Sequence, residues 1–544
     1  MFSVFRGLFF AYSIVTLYYN VTMEEYMASI TYHRDKKTGR TYVYKVESYW
    51  DKEKKAPRNK QTCLGRLNAE TGEVIPSKRK NKIIERAGET LGVSVTSRVA
   101  GPSLLLDKLT KSTGIGTLLK KCYPEDFKLI LSLVYYIVHK GGALSRSQPW
   151  STSSLHPFEG MIASQRISEL LLRLTEDKRQ NFLSLWLSHV LEDDWLCYDI
   201  TSVSSYARHN EYTHFGYNRD GESLEQINLA MLFGQKSRLP AHYRRLPGNI
   251  SDVSTLKTTA KSLDYLGAGK LHFVLDRGFY STANIDELFL RRHKFTIAVP
   301  SGRKWVEKIL DTHYENITSP ANYIVTGQDE ALYAVSKLYK WGKNKHRSWL
   351  HIFYNAERAA DEYDRFTRKL IGYKEELLSG KTVEEHEEFY KRYLIVKETP
   401  KRGRKVEFND NEIQKHRKKY CGFFCILSNK IKNADEALNV YRNKDVVENS
   451  FDDLKNHLDM KRLRVHSAAA MDGRLFLQFL ALIYISSIRT QKQIDDKLKF
   501  LTVREVMEEM ETLVKVRYSN RYGVVFTETT PIQRRIMKVF DIQT

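Results

Sequence analysis

The chain has 544 residues, and its 87 Lys and Arg outnumber 65 Asp and Glu by 22. That length exceeds the roughly 250–300 residues at which one hydrophobic core gives way to several, and a composition 42% apolar and 28% charged excludes wholesale disorder. Five cysteines without a CxxC pair exclude a disulfide scaffold and fit a reducing compartment, while the positive excess points to a polyanionic partner or to a solubility surplus spread over the surface.

Residues 7–19 form an apolar run behind Arg6. It is shorter than the ~18–20 residues of a membrane span and lacks a small-residue cleavage site. Met23 and Met27 are both candidate initiators, so residues 1–22 are expected to be a mis-assigned upstream segment, with a signal or anchor and a structural segment as the other readings. The protein is expected in the cytoplasm, off the membrane.

From Ile30 to Leu67 the pattern is strand-like, with alternation around Tyr42, Tyr44 and Val46 and a turn predicted at Pro57-Arg58-Asn59. Residues 34–60 carry ten Lys or Arg against four Asp or Glu, with Tyr and Trp interleaved. Residues 23–95 therefore read as a basic N-terminal β unit that offers cations to phosphates, or equally as a solvated charged face. Residues 96–190 read as helical, with a buried stretch from Ile130 to Val138 and a loop at Ser145–Pro157. No internal repeat is present.

At Trp195 the texture changes to short apolar strands: Trp195–Thr201, Gln226–Phe233, Leu239–Arg245, Leu271–Leu275 and Phe295–Val299. Helices are predicted at Ser251–Leu266 and Ser281–Arg291. Residues 191–300 form the first part of an α/β core, 301–430 an insertion with strands at Ala331–Leu338 and Trp349–Tyr354 and a charged helical middle, and 431–490 the last part of the core. A strand at Cys421–Leu427 leads into helices from Asn433 and over Arg474–Ile488, and residues 491–544 are a charged C-terminal region without a readable motif. Cys421 and Cys425 flank an apolar run with only His416 nearby, a poor zinc pattern. No GxxxxGK[ST] phosphate loop is present, so no nucleotide cofactor is indicated.

Three carboxylates stand out by position. Asp199 and Asp276 each end an apolar strand, where a buried backbone fixes a side chain at the rim of a sheet, and Glu448 lies on a predicted helix spanning Tyr441 to Lys455. Phosphodiester chemistry with two divalent ions needs such hard oxygen donors. On one continuous helix, Tyr441, Lys444, Glu448 and Lys455 project from a single face at ~100° per residue. That row suits an acid offered to metal and cations offered to phosphate. The competing reading is a charged surface helix with an i,i+4 pair between Lys444 and Glu448. Arg277 is a candidate phosphate contact or the partner of a core carboxylate. Phe279 and Tyr280 either stack on an unpaired base or pack under the next helix. His209 and His214 read as loop histidines, Asp220 as a turn residue, and Asp452 and Asp453 as surface charges.

Five segments in order carry a resemblance: YDITSVSSYA at 198–207, GYNRDGESLEQINLAMLFGQKSRLP at 216–240, PGNISD at 247–252, VLDRGFYS at 274–281, and CGFFCILSNK at 421–430 with the Tyr441–Lys455 segment after it. Together they resemble insertion-sequence-4-like (IS4-like) transposases of bacteria, most closely the insertion-sequence-1634 branch. Tyr441, Glu448 and Lys455 match the family signature in register, and Lys444 stands where the family has Arg, which keeps the charge but loses the bidentate fork. The resemblance implies a ribonuclease-H-like core interrupted by a largely β insertion, with Asp199, Asp276 and Glu448 as catalytic and metal-holding residues. It further implies two Mg2+ or Mn2+ ions and contacts to DNA from Tyr441, Lys444, Lys455 and Arg277. Cut-and-paste transposition on terminal inverted repeats is the implied activity, with a homodimer on paired ends. Other readings are a DNA-binding protein without activity and a ribonuclease-H-fold nuclease without strand transfer.

Overall fold

A computed structural model describes residues 28–543 apart from 37, 52–55, 69–71, 73, 77–94, 192–193, 207–210, 267–268, 327–330, 400–402, 464, 466 and 519–522. The expectations for residues 1–22, Met23, Met27 and His209 lie outside the described residues. The chain divides into two units, Met1–Thr96 with Arg517–Val524 and Ser97–Val516 with Val525–Thr544.

In the first unit, β1 (Ala28–Arg34), β2 (Thr41–Asp51), β3 (Ala56–Leu67) and β4 (Val74–Pro76) form an antiparallel sheet in chain order. Val43 and Val46 are its buried residues, although their odd spacing puts them on opposite faces of β2, while Tyr32, Tyr49 and Trp50 stay exposed. The turn predicted at Pro57–Asn59 is instead strand, with Pro57 opposite Trp50 and Asn59 opposite Ser48. Proline is tolerated there because it sits at the second residue of β3, near the end of the ladder.

The second unit opens with helices α1 (Gly101–Ser112), α2 (Ile115–Cys122), α3 (Phe127–Lys140), α4 (Ser147–Ser153), α5 (Ser164–Arg173) and α6 (Glu176–Val190). α4 replaces much of the loop expected at Ser145–Pro157, because Trp150 docks into the core and its indole donates to His139 Nδ1 at 2.9 Å. The next elements are β5 (Trp195–Ser205), β6 (Gln226–Gly234), β7 (Pro240–Pro247), α7 (Asp252–Tyr265), β8 (His272–Leu275), α8 (Thr282–Leu290) and β9 (Lys294–Val299). The sheet order through these strands is β7-β6-β5-β8-β9. β6 is antiparallel to β5 and β7, while β8 is parallel to β5 and β9 parallel to β8. Three antiparallel strands followed by two parallel ones, reached by a helical crossover, make the ribonuclease-H-like arrangement.

The insertion contributes α9 (Lys304–Leu310), β10 (Tyr323–Val325), β11 (Ala331–Trp341) and β12 (His346–Tyr354). Its charged middle folds as α10 (Ala356–Ser379), α11 (Glu387–Tyr393), the hairpin β13 (Leu394–Thr399) and β14 (Gly403–Phe408), and α12 (Asp410–Tyr420). Strand β15 (Phe423–Ser428) then enters between β12 and β9, so the insertion widens the sheet on that side.

After β15 come α13 (Ala434–Arg442), α14 (Asp445–Asp452), a π turn at Asp453–His457, and β16 (Arg462–Leu463), which pairs in parallel with Ser204 and Ser205 of β5. The core is closed by α15 (Ala468–Lys492), with α16 (Val503–Glu511) and α17 (Pro531–Val539) behind it. α15 is long and apolar enough to cross a bilayer, but most of its surface is buried in the protein.

Candidate active site

The single helix expected from Tyr441 to Lys455 is three pieces. Near its start Asn443 N still bonds Asn439 O at 3.1 Å, but Lys444 N bonds Tyr441 O at 3.2 Å in i→i−3 fashion, and the π turn follows Asp452. The seven-residue spacing of Tyr441, Glu448 and Lys455 therefore does not put them on one helix face, and each has its own partner.

Asp199 lies within β5, opposite Met231 of β6. On its other side Tyr198 is paired with Leu275, the last residue of β8, and Asp276 follows directly. The two carboxylates thus occupy equivalent steps of neighbouring parallel strands, which run ~4.8 Å apart. Asp199 Oδ1 accepts from Ile200 N at 2.8 Å, and Asp276 Oδ1 accepts from the Tyr441 hydroxyl at 2.6 Å. Burial pushes Asp199 up to about 6, against the opposing pull of the Ile200 amide, Lys444 and Arg219. Burial pushes Asp276 up as well, but the Tyr441 hydroxyl and Lys444 outweigh it and hold the group below its usual range. For Tyr441 burial and Asp276 both raise the phenol.

Glu448 lies in the first turn of α14, exposed, with Oε1 2.6 Å from Lys444 Nζ. Burial alone would lower Lys444, yet the charges of Glu448, Asp276 and Asp199 together keep it above its ordinary value. One ammonium is therefore coupled to all three carboxylates. Among the described residues no three His, Cys, Asp or Glu side chains converge as a metal cluster, and Lys444 is the cation that Glu448 turns toward. The donor set still suits divalent ions, since it offers hard carboxylate oxygens around a centre that already balances a positive charge.

Neighbouring segments brace this arrangement. Gln235, just beyond β6, donates to the Val440 carbonyl at 2.6 Å and so ties α13 to the sheet. Lys455 is held by both oxygens of Asp220 at 2.9 and 2.8 Å, with side chains only 12% and 20% exposed. Asp220 is accordingly an ion-pair partner as well as a turn residue. Arg219 grips Asp252 through two bonds at 2.8 and 2.7 Å, and its own amide donates to Ser202 Oγ. Asp453 is buried and paired with Arg489 rather than being a surface charge. Phe279 and Tyr280 are buried, Phe279 against Tyr198 and Tyr280 under the Trp305 indole, which donates to its hydroxyl at 2.9 Å. Arg277 is exposed and forms no ion pair among the described residues.

Arg219 and Asp220 went unmarked as structural partners of the site. Their only signal was the Asn-Arg-Asp-Gly turn inside the resembling segment at 216–240, where Asn218 Oδ1 accepts from Asp220 N.

No curated protein matches the chain. A solved structure of the piggyBac transposase synaptic complex with hairpin DNA aligns over 70% of this chain and 68% of that one, at 12% identity and a TM-score of 0.34. The family model described as transposase DDE domain matches residues 194–484, which is more than half of the chain and includes every residue of the constellation above. The chain belongs to the transposase DDE domain family.

Proposed function

We propose that this transposase cuts and rejoins DNA phosphodiester bonds with Asp199, Asp276 and Glu448 as its catalytic residues. The observation that carries the proposal is the side-by-side seating of Asp199 and Asp276 on neighbouring parallel strands, with Tyr441 of the segment that bears Glu448 bonded to Asp276. The same three side chains are the ones that would hold Mg2+ or Mn2+, two ions per site. Bound there, such ions would supply activation of the attacking water or 3′-hydroxyl and stabilisation of the leaving oxygen.

The remaining roles belong to the chain's own groups. Tyr441 fixes the orientation of one Asp276 oxygen. Lys444 balances the carboxylate charge at Glu448 and is a candidate contact for a phosphate oxygen. Arg277, exposed beside Asp276, offers a further phosphate contact, and Lys455 does so on release from Asp220. In finer terms, the element is a bacterial insertion sequence of the IS4-like group, insertion-sequence-1634 branch. The protein binds terminal inverted repeats, works in the cytoplasm by cut-and-paste, and acts as a homodimer on paired ends. The basic N-terminal unit, residues 23–95, is assigned to DNA binding and residues 191–300 with 431–490 to catalysis.

The test is nicking of a DNA fragment that carries the repeats flanking the gene, with Mg2+, Mn2+ or neither. Wild type is expected to cut at the repeat boundary only with metal, and Glu448→Gln to bind the fragment with unchanged affinity but not cut it. Binding without cutting by both proteins would leave a DNA-binding protein without activity.

A further inference from the structure

Arg474, in the second turn of α15, is only 8% exposed. A guanidinium carries five donors and keeps its charge in a protein. Here Nη2 donates to the Gly142 carbonyl at 3.0 Å, while Nη1 is buried with no hydrogen-bond partner among the described residues. A buried cation with an open donor is costly unless something satisfies it. Asp459 favours the charge from a distance without forming an ion pair.

Arg474 lines a cavity of about 580 Å³ whose other walls come from the α3–α4 turn, the first turns of α5, and the segment leading into β16. α5 begins at Ser164 on that wall, and its ten residues have neither a side-chain cap at Ala163 nor an acidic residue in the first turn. Its leading N–H groups are therefore open donors at the positive end of a helix. Lys461 adds an exposed ammonium, Arg462 is already engaged by Glu222, and Asp459 is the single carboxylate in the lining. Asp459 is exposed there without an ion pair among the described residues, so the cavity offers one free carboxylate beside a larger set of donors and cations. β16 sits against Ser204 and Ser205, so the cavity flanks the far end of the strand that bears Asp199. Six residues along β5 amount to roughly 20 Å at ~3.3 Å per residue.

We propose that this cavity binds a phosphate group of the DNA backbone, with the charge of Arg474 in its wall and the α5 N-terminus and Lys461 as its contacts. The proposal rests on the DNA-cutting reading above for the identity of its ligand. It would hold the strand several nucleotides away from the bond being cut.

The test uses the full chain, wild type against Arg474→Met and Lys461→Gln. Duplex DNA of arbitrary sequence is titrated at two salt concentrations, and thermal unfolding is followed in inorganic phosphate and in chloride at equal ionic strength. Arg474→Met is expected to unfold at the same temperature or higher, because no buried charge remains. Its affinity loss between about 50 and about 200 mM salt is expected to be about three- to fourfold smaller than that of wild type, one phosphate contact fewer. Lys461→Gln is expected to flatten the salt dependence with no change in stability, and phosphate to raise the unfolding temperature of wild type but not of Arg474→Met. A folded Arg474→Met with the wild-type salt dependence overturns the proposal. So does phosphate stabilisation without any change in DNA binding, which would mark a site for free phosphate. If Arg474→Met does not fold, an unchanged salt dependence in Lys461→Gln overturns it alone. A wild type that binds DNA but never cuts it would sink the catalytic reading and leave these comparisons intact.

Discussion

Asp199 is the residue whose protonation should be easiest to see. Its folded pKa of about 6 exceeds the ordinary carboxylate value, so between the two values the folded chain holds a proton that the unfolded chain has released. Stability linked to Asp199 is therefore present at low pH and lost as pH rises through that window. Asp199→Asn removes the loss, and its stability advantage in metal-free buffer should grow from near zero at about pH 4 to at most about 3 kcal/mol at about pH 7. Denaturant unfolding across pH measures it, and a difference that stays flat would rule out a raised Asp199. A second prediction concerns Tyr441. Tyr441→Phe deletes the hydroxyl that orients Asp276 and should slow DNA cutting about 10- to 100-fold, as loss of a hydrogen bond behind a metal-holding group usually does, with DNA affinity unchanged in a gel-shift titration. The strands that bear Asp199 and Asp276 were legible in the sequence from their apolar runs, and Asp276 does follow the end of its strand, but β5 continues six residues past Asp199 instead of ending on it. The partner of Tyr441 was not legible, since no local pattern says which of many carboxylates a phenol 165 residues away will meet.

At the scale of the element, the informative piece is the broken helix at 434–457. A seven-residue spacing reads as one face only if the helix is continuous. Asn443, a weak helix former, sits where α13 ends and lets Tyr441 turn toward Asp276 while α14 carries Glu448 outward. The π turn then swings Lys455 to Asp220, 235 residues away in the chain. That pair is far enough from solvent to count for more than a surface ion pair. A double-mutant cycle of Asp220→Asn and Lys455→Met, measured by urea unfolding at neutral pH, should give a coupling of about 1–2 kcal/mol. A coupling near zero would mean that the Asp220 pair adds no net stability and does not hold Lys455 back from DNA. The strands of the core were readable from their apolar runs to within a few residues. The helix break was not, because it contains neither Gly nor Pro.

For the whole molecule, the question is how one chain divides its charge between holding DNA and reacting with it. Strands β11 and β12 were visible as apolar runs, whereas the entry of β15 between β12 and β9 is a long-range pairing that no local pattern encodes. The first unit has its own four-stranded sheet, with Arg34 and Lys60 exposed on it along with Tyr32 and Trp50, and Lys36 exposed in the turn after β1. Exposed cations on a sheet act on DNA through phosphate neutralisation, an effect read directly from salt dependence. If binding belongs chiefly to this unit and chemistry to Asp199, Asp276 and Glu448, the two should separate under mutation. Replacing Arg34, Lys36 and Lys60 together by Gln should reduce the slope of log affinity against log salt by about two to three. The cutting rate measured at saturating protein should stay at the wild-type value. Glu448→Gln should do the reverse, keeping the slope and losing the cut. A triple variant that binds like wild type would move the DNA-holding surface to the second unit. One that binds less and also cuts more slowly at saturation would show that the first unit helps to form the reacting complex rather than only to capture its substrate.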